Sequence, residues 1–132
     1  MKKRILIIDD DISLTHMVKL NLEGTGLYEV QVLNYALHAI QAARDFRPHL
    51  ILLDYIMPGM DGGDVCGRLR QDPRLCSIPV IMITALVSNK EMREDGTLER
   101  NGHVMVAKPI QFSKLLQCIE ERLAPPLLVA RH

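Results

Sequence analysis

Asp9 and Asp10 follow the run ILII, Asp54 follows LILL, Thr84 follows VIMI, and Lys108, joined to Pro109, follows VMVA. Each polar residue sits just after a short apolar stretch of the kind that forms a buried parallel strand. Four such strands would bring three carboxylates, a hydroxyl and an ammonium to one edge of a sheet. In open α/β sheets, chemistry is done in the crevice beyond the carboxyl ends of the strands. The five polar positions therefore read as one site, assembled from most of the length of the chain.

The elements that must position these residues alternate regularly. Residues 3–9 read as a first strand, followed by a helix over 13–24 with Leu14, Met17, Val18, Leu20 and Leu22 at helical spacing. YEVQVLN at 28–34 alternates apolar and polar side chains and suits a strand near an edge. A second helix is expected over 35–46, stopped before Pro48. A central strand covers 49–54, a loop 56–62, and a helix weakened by Gly67 covers 63–71. Strands at 77–84 and 103–107 and an amphipathic helix at 112–123 complete the series. Between Ser88 and Asn101 the chain is highly charged, with Gly96 in its middle, and reads as a short or broken helix. The βα repetition predicts a parallel sheet covered by helices on both faces, with right-handed crossovers.

Composition sets the class. With 132 residues, 48% hydrophobic and 24% charged, the chain suits one globular domain with a full core. Sixteen basic and sixteen acidic residues cancel, so the net charge carries no footprint for nucleic acid or a membrane surface. Lys2-Lys3-Arg4 before ILII has the look of a signal peptide, but Asp9, Asp10 and Asp11 end the apolar run after four residues. A cytoplasmic location follows as the expectation. Cys66, Cys76 and Cys118 form no CxxC pair and read as reduced thiols. His16, His38, His49, His103 and His132 show no metal-ligand spacing.

Taken together, paired Asp9-Asp10, Asp54 followed by Met57-Pro58 and Asp61-Gly62, then Thr84-Ala85 and Lys108-Pro109, resemble the receiver domain of bacterial two-component response regulators. The likeness covers residues 3–123. It implies a flavodoxin-like, doubly wound sheet of five parallel strands in the order 2-1-3-4-5, with about five helices. It also implies a receiver domain over 1–124, with 125–132 a tail or the start of a linker.

The resemblance assigns roles. Asp54 would be the phosphoacceptor, and a carboxylate attacking a phosphoryl group gives an acyl phosphate. Asp10 and Asp54 would bind Mg²⁺ directly, Asp9 through water, and the Ile56 backbone carbonyl would complete the protein's share. Hard oxygen donors suit that ion. Asp11 fits better as an acidic surface turn. Lys108 would supply a second positive charge, and it reads equally as an ion-pair partner of the acidic residues. Thr84 would bind the new phosphoryl group through its hydroxyl, although a β-branched residue is ordinary in a strand. The family likeness suggests a cis bond at Pro109.

Three positions depart from the family pattern. Met105 stands three residues before Lys108, where the family usually has an aromatic switch residue, and reads either as a flexible substitute or as plain core. Ile56 and Leu86, two residues after Asp54 and Thr84, are apolar where many relatives place water-orienting polar groups. A long-lived phosphorylated state follows. The implied partners are a histidine kinase or histidine phosphotransfer protein and a downstream protein or missing output domain. No direct nucleic-acid or membrane contact is expected, and a homodimer on phosphorylation is possible. The alternatives are an aspartyl-nucleophile phosphatase and a receiver-like binding module that is not phosphorylated. Phosphatases of the haloacid dehalogenase type want a second acid where Ile56 stands.

Overall fold

A strand buried on both faces needs apolar side chains pointing both ways, and the runs ending at Ile8, Leu53, Ile83 and Ala107 provide them. A computed structural model describes residues 1–85, 97–100 (backbone alone) and 103–124 of the chain. Its elements, in order, are β1 (Lys3–Ile8), α1 (Ile12–Gly24), β2 (Tyr28–Leu33), α2 (Ala39–Phe46) and β3 (Leu50–Asp54). They continue with α3 (Gly62–Gln71), β4 (Val80–Thr84), β5 (Thr97–Arg100), β6 (His103–Ala107) and α4 (Phe112–Leu123).

One six-stranded sheet runs β2-β1-β3-β4-β6-β5. Its first five members are parallel and take the expected 2-1-3-4-5 order when counted among themselves. Because side chains alternate along a strand, each strand feeds two cores. Ile5, Ile7, Leu50, Leu52, Ile81, Ile83, Val104 and Val106 pack beneath α1 and α4 through Val18, Leu22, Leu115 and Ile119. Leu6, Ile8, Ile51, Leu53, Met82 and Met105 pack on the other face beneath α2 and α3, through Ala39, Ala43, Val65 and Leu69. Each fully buried aliphatic side chain contributes about 1.5–3 kcal/mol, so the layers on both faces fix the sheet's register. Cys66 and Cys118 are buried in these layers, and all three cysteines are free thiols.

Three elements differ from the sequence expectation. Residues 35–46 do not form one helix: a 3-10 turn at Ala36–His38 precedes α2. The fourth strand starts at Val80 rather than Ser77, because the chain turns over Asp72–Ile78 first, with Leu75 and Ile78 donating back to Asp72 and Leu75 carbonyls.

The third difference is a correction. Within the charged stretch expected to be a short or broken helix, Thr97–Arg100 is a strand, antiparallel to β6. The rest of that stretch up to Lys90 and on to Gly96, with Asn101, lies outside the described residues, as do Leu86 and the 125–132 tail. The register pairs Arg100 with His103, leaving two residues, Asn101 and Gly102, between them. In a sequence, Asn-Gly between two strands is a hairpin signal. Among the described residues no helix is long and apolar enough to cross a membrane.

Candidate functional site

The carboxyl ends of β1, β3, β4 and β6 bring the five polar positions together. Asp9 is the first residue past β1, held by its N–H to the Leu33 carbonyl of β2 at 3.1 Å. Its side chain is fully buried, and Oδ1 accepts from the Asp11 N–H at 2.9 Å. Asp10 beside it is exposed. Asp11 is the N-cap of α1, its carboxylate accepting from the Leu14 N–H at 3.1 Å, which gives that acid a structural duty. Asp54 ends β3, and its Oδ1 accepts from the Ile56 N–H at 3.3 Å. Thr84 ends β4 and is buried. Lys108 follows β6, its backbone N–H donating to the Thr84 carbonyl at 2.9 Å. The Lys108-Pro109 bond is cis, as the family likeness suggested.

The ammonium of Lys108 lies 3.0 Å from Asp9 Oδ2 and 3.4 Å from Asp54 Oδ2. Both readings of Lys108, ion-pair partner and second cation of the site, thus call on the same geometry. Burial, and then the neighbouring Asp9 charge, push the Asp54 carboxyl up to about 6, against the opposing pull of Lys108. Burial alone would depress Lys108. The Asp9 and Asp54 carboxylates outweigh it and hold the ammonium above its ordinary range. One ammonium serves two buried acids, and a third carboxylate, Asp10, adjoins them. The site has more negative charge than its own cation neutralises.

That surplus is what a hard cation would relieve. One oxygen from each of Asp9, Asp10 and Asp54 lies within 4.8 Å of the others, the only such cluster among the described residues. Asp9 Oδ2 is buried and takes no hydrogen bond, leaving only the Lys108 ion pair. The donor set is all oxygen, as Mg²⁺ prefers. These residues fit the ion.

The loop after β3 shapes the rim. Asp61 caps α3 by accepting from the Asp64 N–H at 2.8 Å. Gly62 N–H donates to the Tyr55 carbonyl at 2.6 Å, so the loop folds back on the strand end. A Cβ at Gly62 would stand 2.6 Å from the Asp54 carbonyl oxygen and 2.8 Å from the Tyr55 Cα, both backbone atoms that cannot swing aside. Gly59, at φ +83°, makes the turn before it. Ile56 is 53% exposed beside the acids, whereas Met105 is buried in the layer beneath α3. A hollow of about 460 Å³ opens next to Asp10, walled by Ile12, Tyr35, Leu37, Met57 and Met60.

One site feature escaped the sequence reading. Asn34, just past β2, donates from Nδ2 to the Asp9 carbonyl at 2.6 Å and to Thr15 Oγ1 at 3.1 Å. No motif marks it, since its neighbours come from strand register rather than spacing.

The family model for the response regulator receiver domain matches residues 5–120. The chain belongs to that family. The receiver is 36% identical over 123 residues to the DNA-binding response regulator MtrA of Mycolicibacterium paratuberculosis, covering 93% of this chain and 52% of the relative. It is 47% identical over 83 residues to the DNA-binding dual master transcriptional regulator RpaA of Synechocystis, covering 63% of this chain and 34% of the relative. The chain thus spans about half the length, or less, of these curated relatives. Among solved structures, the chemotaxis response regulator CheY4 of Vibrio cholerae superposes with a TM-score of 0.77 at 26% identity, over 93% of this receiver and all of that chain. The signal receiver domain of a Syntrophus aciditrophicus histidine kinase gives 0.74 at 29% identity, over 92% and 89% of the two chains.

Proposed function

We propose that the chain is a phosphoacceptor switch of a two-component phosphorelay, charged on Asp54 and altering what the receiver binds. The observation that carries this reading is the buried Asp54 carboxylate, set within 4.8 Å of Asp9 and Asp10 and 3.4 Å from the Lys108 ammonium. Membership of the receiver family supports it. In the reaction an Asp54 oxygen attacks phosphorus, the bond from phosphorus to the donor nitrogen breaks, and the electron pair leaves with the donor's imidazole. Lys108 meets charge growing on the phosphoryl oxygens, and Thr84 donates its hydroxyl to one of them. Asp10 and Asp54, with Asp9 through water and the Ile56 carbonyl, would hold Mg²⁺. The ion supplies further neutralisation of those oxygens.

The donor is a histidine kinase or histidine phosphotransfer protein, and the exposed apolar walls at Ile12, Tyr35 and Leu37 offer it surface to cover. The receiver unit spans 1–124 and works in the cytoplasm, with 125–132 as tail or linker. Output passes through the region of Leu86, Met105 and Pro109 to a downstream protein or an output domain, with a homodimer as one form of the active state. Turnover on external substrates is disfavoured, since Ile56 stands where an aspartyl phosphatase needs its second acid. Borohydride reduction of the phosphorylated chain, which converts an acyl phosphate to an alcohol, should mark the Asp54 peptide. A mark elsewhere, or none, would refute the assignment.

A further inference from the structure

Asn34 joins two elements at the point where the acidic pair begins. Its Nδ2 carries two hydrogens, and both neighbours can only accept. The Asp9 carbonyl has no proton, and the Thr15 hydroxyl spends its own on the Ile12 carbonyl at 3.0 Å. The orientation of the amide is therefore fixed by its surroundings. No smaller or similarly sized side chain offers two hydrogens from one atom at this reach: Ser and Thr have one, and an ionised Asp has none.

The bond at 2.6 Å falls on the carbonyl of the peptide that links Asp9 to Asp10. The Asp9 N–H is anchored on Leu33, its carboxylate takes the Asp11 N–H, and its carbonyl is held by Asn34. Asp10 is exposed, and the carbonyl that Asn34 holds belongs to the peptide that carries it. Thr15, one turn into α1 and buried, ties the same amide to the first turn of the helix. The β1–β2 register brings this about: Ile8 pairs with Leu33, which sets residue 34 beside residue 9.

We infer that Asn34 is a positioning residue for the acidic site, its bond to the Asp9 carbonyl holding the Asp9–Asp10 peptide so that both carboxylates face one cation. The inference rests on the metal-assisted reading of that site. Groups that orient metal ligands from behind change affinity by about 10–100-fold when lost.

The test is calorimetric titration of the full chain with Mg²⁺ at pH 8, alongside Asn34→Leu, which keeps the branched shape and removes both donors, and Thr15→Val, which leaves the bond to Asp9 in place. Thermal melts in chelator show that each variant is folded. Asn34→Leu should bind Mg²⁺ about tenfold more weakly, and its phosphorylation by acetyl phosphate should recover at high Mg²⁺. Thr15→Val should melt lower yet bind within about twofold of the unaltered chain, a change smaller than one lost contact of ~1.4 kcal/mol would give. A folded Asn34→Leu with unchanged Mg²⁺ affinity overturns the clamp, reducing Asn34 to a structural tie. Failure of the unaltered chain to bind Mg²⁺ overturns the acidic-site reading itself, and the clamp with it.

Discussion

Asp54 carries an electrostatic cost that the unfolded chain does not. Its carboxyl titrates near 6 in the fold against an ordinary 3.8, so the ionised folded form is disfavoured by up to about 3 kcal/mol. Because the folded value is raised, the contribution to stability is fully present below 3.8 and is lost as pH rises through 6. Asp54→Asn should therefore melt higher than the unaltered chain at pH 8 in chelator, with the gap closing toward pH 4. Melting curves across that range decide it, and an Asn variant that melts lower at pH 8 would contradict this account of the site's charge. Ile56 is the neighbouring test. An exposed apolar side chain two residues after the acceptor offers no group to orient water, so the acyl phosphate should be long-lived. Ile56→Asn should speed its loss about tenfold, the worth of one contact of ~1.4 kcal/mol in the transition state. A phosphate-release time course with an equal or slower rate in the variant would show that water reaches the site another way.

Among the elements, the turn from β3 into α3 depends most on a single residue. Gly62→Ala would drive a methyl against the backbone of Asp54 and Tyr55, forcing either the loop or the strand end to move. A loss of about 1–3 kcal/mol in denaturant unfolding is expected, the usual cost of overpacking, together with slower phosphorylation. Gly67→Ala, whose added carbon meets nothing within 4 Å, should be neutral or stabilising. Much at this scale was legible in the sequence. Four apolar runs ending in polar residues placed β1, β3, β4 and β6 because a doubly buried strand leaves no other pattern, and the motif residues fell at their ends. Asp61-Gly62 was visible as a motif, but its duties as cap and close contact needed the fold. β5 was hidden because Thr97–Arg100 is short and charged, as an edge strand can be, and its true signal was the Asn101-Gly102 pair after it. Asn34 was invisible because it gains its partners only through strand register and the approach of α1.

At the scale of the whole molecule, one edge of the sheet gathers the chemistry while two apolar layers hold that edge still. Binding at such a site should stabilise the entire fold, since an ion that binds only the folded chain adds ~2.7 kcal/mol at a hundred times its Kd. Mg²⁺ should raise the melting temperature at pH 8 and do so less at pH 5, where Asp54 is largely protonated and the proton competes for the same oxygens. An increment that is independent of pH would place the ion elsewhere. The central claim is that this edge takes a phosphoryl group on Asp54. Intact-mass analysis after incubation with acetyl phosphate tests it, run with Mg²⁺, with chelator, and with Asp54→Asn in place of the unaltered chain. The account predicts a single phosphoryl-sized gain in the unaltered chain with Mg²⁺ and none in the other two arms. An equal gain in Asp54→Asn, or one that survives chelation, would contradict it.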